Sequence, residues 1–136
     1  MEAVMKNKAS LISDSEWLVM KVIWEKKEAK SSEIAAKLSD STKWSDKTII
    51  TLLNRLVNKG ILATKKDNND KRAYVYYPLV TEQECIEAET DSFLKKCFNG
   101  AVKDLLLNVI DKRRLTKSDI EELKSILDTM EEEEND

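Results

Sequence analysis

Two glycines and one proline in 136 residues leave this chain few places to turn sharply. Such a backbone favours long helices with short connections, because Gly and Pro are the residues that punctuate regular structure. The three breakers, Gly60, Pro78 and Gly100, divide the chain into segments that can be read one at a time. The same scarcity excludes a Gly-rich phosphate loop or a G-x-G-x-x-G dinucleotide turn. Histidine is absent altogether, which removes Ser-His-Asp and Cys-His catalysis and every His-ligated metal site. An enzyme is therefore not expected, since catalytic use of Cys85 or Cys97 would need an activating base. If both cysteines lie on one helix they stand about 18 Å apart along its axis, too far for a disulfide or a shared metal. No metal and no cofactor is expected. No run of about 18 apolar residues exists, and residues 1–10 lack the apolar core of a signal peptide. A cytoplasmic protein without membrane insertion is the expectation.

The formal net charge of −3 argues at first sight against nucleic acid, for which a basic domain is expected. Dividing the chain after Val80 changes this. Residues 1–80 hold 15 Lys and Arg against 10 Asp and Glu, whereas residues 81–136 hold 8 against 16. Opposite charge in the two halves hints at a nucleic-acid-binding unit joined to something else. The expected domains are residues 1–80 and 81–136, meeting just after Pro78.

In the first half, Ser13-Asp14-Ser15-Glu16 is a capping box. The helix after it carries Trp17, Leu18, Val19, Met20, Val22, Ile23 and Trp24 and is expected to be central and buried. Residues 28–30 leave room for one short strand. A short helix follows from Ser31, with Ile34, Ala35 and Leu38 inward. Ser45 caps a third helix that ends near Lys59 with Gly60 beyond it. At 100° per residue, Ile49, Leu52, Leu53 and Leu56 gather on one side of this helix. Lys47, Thr51, Asn54 and Asn58 gather on the other, with Thr48 and Arg55 on a flank. That outer face holds no acidic residue, and its side chains are of the types that donate to phosphates and base edges. Residues 61–66 and 71–77 read as strands about a turn at 67–70. Lys65, Lys66, Lys71 and Arg72 flank the tip of this hairpin. Helix, helix, recognition helix and basic wing is the order of a winged helix-turn-helix, with the helix in the major groove and the wing along the backbone.

In the second half, Thr81-Glu82-Gln83-Glu84 caps a helix to about Phe98 with Ile86, Thr90, Phe93, Leu94 and Cys97 on one stripe. Asn99-Gly100 breaks it. A second helix, 101–111, carries Val102, Leu105, Leu106, Val109 and Ile110. A third, capped at Thr116, carries Ile120, Leu123, Ile126, Leu127 and Met130. The acidic residues 131–136 read as a solvated, frayed end. Three helices over so few residues have little chance of burying their apolar stripes alone, so this half is expected to pair with a second copy. Phe93, Leu94, Leu105, Leu106, Val109, Ile110, Ile120, Leu123 and Leu127 are the candidate dimer contacts. The fold expected is mostly α with a small β-hairpin wing (α+β): an N-terminal winged helix-turn-helix and a C-terminal helical dimerisation domain.

Several stretches taken together resemble the penicillinase-repressor family, the BlaI/MecI repressors, with CopY as a copper-responsive branch. They are Ser15-Glu16-Trp17-x-Val19-Met20-x-x-Ile23-Trp24, Trp44-Ser45-Asp46-Lys47-Thr48-Ile49 and Thr51-Leu52-Leu53-Asn54-Arg55-Leu56 with Lys59-Gly60. Lys65-Lys66-Asp67-Asn68, Tyr76-Tyr77-Pro78-Leu79-Val80, Leu105-Leu106-Leu107-Asn108 and Ile120-Glu121-Glu122-Leu123 continue the match. The resemblance spans about Ile12 to Met130. It implies a homodimeric transcriptional repressor on palindromic operators, often built on TACA…TGTA, ahead of resistance genes. It further implies a membrane sensor metalloprotease, or a protease downstream of it, as a partner that cleaves the repressor after an Asn. Here that stretch reads Leu105-Leu106-Leu107-Asn108-Val109, with Val109 in place of an aromatic, which leaves cleavage at Asn108–Val109 open. By the same resemblance Lys47, Thr48, Thr51 and Arg55 are the recognition-helix contacts. Ile50 stands where well-known members carry Arg. It can touch a thymine methyl but cannot bond guanine, so base preference is expected to differ. No cysteine follows Cys97, so the metal-sensing motif of the copper branch is missing. A winged-helix repressor of another stress or metal-type signal, and a protein-interaction module that does not bind DNA, are the alternative functions.

Overall fold

A computed structural model describes residues 12–111 and 114–135. Among these described residues, six helices and three short strands follow in the order α1 (Asp14–Lys26), β1 (Ala29–Lys30), α2 (Ser31–Thr42), α3 (Asp46–Asn58), β2 (Leu62–Lys66), β3 (Tyr74–Pro78), α4 (Glu82–Phe98), α5 (Val102–Asp111) and α6 (Lys117–Asn135). The chain falls into two compact units that divide between Ser92 and Phe93. Among the described residues no helix is long and apolar enough to cross a membrane.

The N-terminal unit is built on α1. Its capping box forms as the sequence predicts: the Glu16 N–H donates to Ser13 Oγ at 3.2 Å, and the Ser13 N–H donates to Glu16 Oε1 at 2.8 Å. Val19, Met20, Val22 and Ile23 are buried against Ile34 and Leu38 of α2 and Ile49, Leu52, Leu53 and Leu56 of α3. Each fully buried side chain of this kind contributes about 1.5–3 kcal/mol. α1 is not buried all round: Leu18 is exposed, and Trp17 and Trp24 pack edge to face at the margin of the core, 5.4 Å apart.

Glu16 is only 1% exposed, yet charged. Lys59, at the C-terminal end of α3, reaches its Oε1 at 2.6 Å. Burial pushes the Glu16 carboxyl up. The Lys59 ammonium and the Ser13 N–H and hydroxyl outweigh this and hold it below the ordinary glutamate value. α3 itself closes in a Schellman motif, with Gly60 N–H donating to Val57 O and Ile61 N–H to Leu56 O, both at 3.0 Å. Gly60 takes the left-handed conformation this requires, φ 77°.

The sheet has the order β1-β3-β2, antiparallel throughout. The short strand allowed at 28–30 thus becomes the third strand beside the hairpin. Register pairs Lys66 with Tyr74, so the second strand begins at Tyr74 and not at Lys71. Residues 67–73 form the turn. Asp70 causes this, since its carboxylate accepts the Arg72 N–H and its carbonyl accepts the Ala73 N–H, each at 3.0 Å, using donors a strand would need.

The division after Ser92 lies beyond Val80, where the charge arithmetic drew it. Val80, Cys85 and Ala88 belong to the N-terminal core, and the Trp24 indole N–H donates to Val80 O at 3.1 Å. The inward positions at the start of α4 are accordingly Cys85 and Ala88; Ile86 and Thr90 of the expected stripe are exposed. Burial pushes the Cys85 thiol up to about 11, leaving it protonated at neutral pH.

In the C-terminal unit, Asn99 (φ 50°) and Gly100 (φ 83°) end α4 in left-handed backbone. Thr116 and Asp119 cap α6 reciprocally, each N–H donating to the other's side chain at 3.0 Å. α6 continues to Asn135, through the acidic run read from sequence as frayed. No breaker follows Met130, and glutamate is a good helix former.

Candidate nucleic-acid interface

The orientation of α3 follows from its two ends and one buried face. Ser45 Oγ accepts the Thr48 N–H at 3.2 Å and starts the helix. Burial of Ile49, Leu52, Leu53 and Leu56 then turns Lys47, Thr51, Asn54, Arg55 and Asn58 to solvent, as the 100° spacing predicts, and leaves Ile50 exposed beside them. Lys47, Asn54 and Arg55 have no side-chain partner among the described residues, so their donors are available to a ligand. Two threonines are partly committed: Thr48 is half-buried with its hydroxyl 3.1 Å from Ser45 Oγ, and the Thr51 hydroxyl donates to Lys47 O at 2.9 Å.

The wing cations divide into two groups. Lys66, Lys71 and Arg72 are exposed and have no ion-pair partner among the described residues. Lys65 instead donates to Glu28 Oε1 at 3.1 Å and lies 5.8 Å from the Tyr77 ring centroid. A second pair, Lys30 Nζ to Asp67 Oδ2 at 2.9 Å, ties the start of the turn to β1. The Lys30 ammonium holds the Asp67 carboxyl below its usual range, and Asp67 raises Lys30 in turn. The Lys65–Glu28 pair is open to water and orients the wing more than it stabilises it, whereas the Asp67 carboxylate is largely covered, its side chain 13% exposed.

Sequence reasoning missed a crevice of about 220 Å³ where Ile50 of α3 meets Lys30, Ser31 and Ser32 at the start of α2, and Arg72 and Tyr74 at the wing. The pleat of β3, with Tyr74 outward and Val75 inward, was the signal that could have pointed to it.

Three helices, the last with a polar outer face, followed by a basic hairpin on a three-stranded sheet define a winged helix-turn-helix, the architecture of transcription regulators that read DNA. The chain belongs to the penicillinase-repressor family, whose model matches residues 12–129. It is 40% identical over 123 residues to the methicillin resistance regulatory protein MecI of Staphylococcus aureus (strain N315), covering 90% of this chain and 98% of that one. It is 39% identical over 117 residues to a penicillinase repressor of Bacillus licheniformis, covering 86% of this chain and 89% of that one. The solution structure of the Bacillus licheniformis BlaI monomeric form in complex with the blaP half-operator is 42% identical. It covers 54% of this chain and 85% of that one with a TM-score of 0.47.

Proposed function

We propose that this chain is a homodimeric repressor that binds a palindromic operator ahead of β-lactam resistance genes and is released when its C-terminal unit is cut. The outer face of α3 carries the reading: Lys47, Asn54 and Arg55 stand exposed and unpartnered on a face with no carboxylate. Arg55 and the wing residues Lys66, Lys71 and Arg72 hold phosphates, while Lys47 and Asn54 reach base edges. Lys65, held by Glu28, positions the wing. Each phosphate contact releases condensed counterions, so affinity falls with salt at a slope of about 0.9 per contact. Arg55→Ala is expected to weaken binding to every duplex alike and to reduce the slope of log K against log salt by about 0.9 per half-site. An unchanged slope in a salt-titrated anisotropy measurement would remove Arg55 from the phosphate contacts.

Dimerisation is supported by what the C-terminal unit lacks. Among the described residues of α5 and α6, none is buried. Leu106, Val109 and Ile110 of α5 face Leu115, Ile120, Leu123, Ile126 and Leu127 across an apolar groove of about 440 Å³. Phe93, Leu94 and Leu105 complete the candidate contacts; Phe93 is exposed and packs against Phe98 at 5.8 Å, and the two leucines are half-buried. A second copy of the same face would cover these groups.

Asn108 is exposed and Val109 half-buried in the middle of α5. A protease needs extended backbone, so this bond becomes cleavable only when α5 opens locally. A cut there separates Leu105 and Leu106 from Val109 and Ile110 and divides the dimer contacts. Intact-mass analysis of the repressor from cells exposed to a β-lactam is expected to show fragments 1–108 and 109–136. Full-length protein throughout induction would place relief elsewhere.

A further inference from the structure

We propose that Ile50 is a specificity-determining residue that reads the 5-methyl group of a thymine from the major groove; this rests on the DNA-binding reading above. α3 has its own buried apolar face, yet Ile50 stands 43% exposed beside Thr51 and Asn54. An exposed isoleucine alone needs no explanation. This one lines a crevice together with Tyr74, itself 53% exposed, and Arg72 of the turn. Ile50, Tyr74 and Tyr76, with the cations Lys30 and Arg72, thus border one space between recognition helix and wing. Ile50 also lies in the N-terminal half of the 13-residue helix α3, the part of a recognition helix that contacts base edges.

An aliphatic side chain offers no hydrogen bond. Of the major-groove base edges, only that of thymine carries an apolar group to match it. A guanine at the same place would set its N7 and O6 acceptors against isoleucine, and a cytosine its amino group. Each would lose water and gain no partner. Ile50 therefore favours thymine by contact and disfavours guanine and cytosine by desolvation. Tyr74 on the same crevice limits water at the contact, and Arg72 offers a cation to the adjoining phosphate.

The test uses the full-length protein and the tightest duplex it enriches from a random-sequence library. Each thymine is replaced in turn by deoxyuridine, which removes only the methyl, and affinity is read by fluorescence anisotropy at fixed salt. At one position in each half-site the wild type is expected to lose about fourfold per methyl. Ile50→Ala is expected to bind the thymine and uracil duplexes equally, and Ile50→Val to keep part of the difference. A urea midpoint unchanged from wild type checks that the variants fold. Equal affinity for every deoxyuridine duplex overturns the proposal while leaving DNA binding intact. So does a uracil penalty that persists in Ile50→Ala, or an enriched site with no thymine in its half-sites. Failure to enrich any duplex overturns the DNA-binding reading, and this inference with it.

Discussion

A Leu106→Asp variant is expected to run as a monomer in size-exclusion chromatography with light scattering, and to bind a full palindrome about 10²–10⁴-fold more weakly than wild type. In the single chain Leu106 is 52% exposed and lines the apolar groove of α5 and α6. Pairing by a two-fold axis buries two copies of this position, so the substitution places two carboxylates in one apolar interface. The groove is lined by Leu, Ile and Val, and among the described residues only Lys124 brings a cation to it, so the carboxylates would be surrounded by apolar groups. Burial of an unpaired carboxylate costs more than the leucine contact was worth. The loss on DNA is larger than any single contact on α3 could give, because the second half-site ceases to be an intramolecular encounter. Affinity for an isolated half-site should stay at the wild-type value, since Leu106 lies in the unit after Ser92 and the reading face before it. Leu123→Asp, across the same groove, should behave alike. If both variants remain dimers, the groove is not the interface.

The recognition helix was legible because three signals agreed on it: Ser45 as cap, Gly60 as terminator, and a four-residue apolar stripe at helical spacing. Each acts within one turn of the backbone, which is the range over which sequence alone is informative. The wing was legible in outline but not in detail. Lys71 and Arg72 read as strand because Tyr74, Val75, Tyr76 and Tyr77 follow them, whereas the Asp70 side chain and carbonyl hold them in the turn. The Lys65–Glu28 and Lys30–Asp67 pairs were not visible at all. They join residues 37 positions apart, and only the β1–β3–β2 order brings them together. The compact units part after Ser92, later than the change of charge, for a similar reason. Charge changes sign near Pro78, but packing follows apolar contact, and Cys85 and Ala88 complete the N-terminal core from within an acidic segment. The capping box at Ser13 and Glu16 was read correctly as local structure, yet nothing local shows that Glu16 has a second partner, Lys59, 43 residues on.

That second partner carries the other large expected effect. Lys59→Met should destabilise the N-terminal unit by about 2–3 kcal/mol in urea unfolding, somewhat under the range for a wholly buried pair because Lys59 is 31% exposed. The cost arises at Glu16. Its carboxylate is buried, its Oε2 has no hydrogen-bond partner among the described residues, and without the ammonium only Ser13 supports its charge. Glu16→Gln removes that charge while keeping an acceptor for the Ser13 N–H. The double variant Glu16→Gln/Lys59→Met should therefore be more stable than Lys59→Met alone. Equal stability of the two would mean that the lysine acts through packing and not through charge. Acid gives an independent reading. In the folded protein the Lys59 ammonium and Ser13 hold the Glu16 carboxyl below its ordinary value of 4.5. Its ionised form therefore stabilises the unit fully above about pH 4.5, and the contribution is lost as pH falls through the lower folded value. Wild type should lose stability more steeply than Glu16→Gln over that acid window and in parallel with it above. The pair joins the start of α1 to the end of α3, so its loss should also loosen the recognition helix. Half-site affinity of Lys59→Met is expected to fall together with stability and to recover in the double variant.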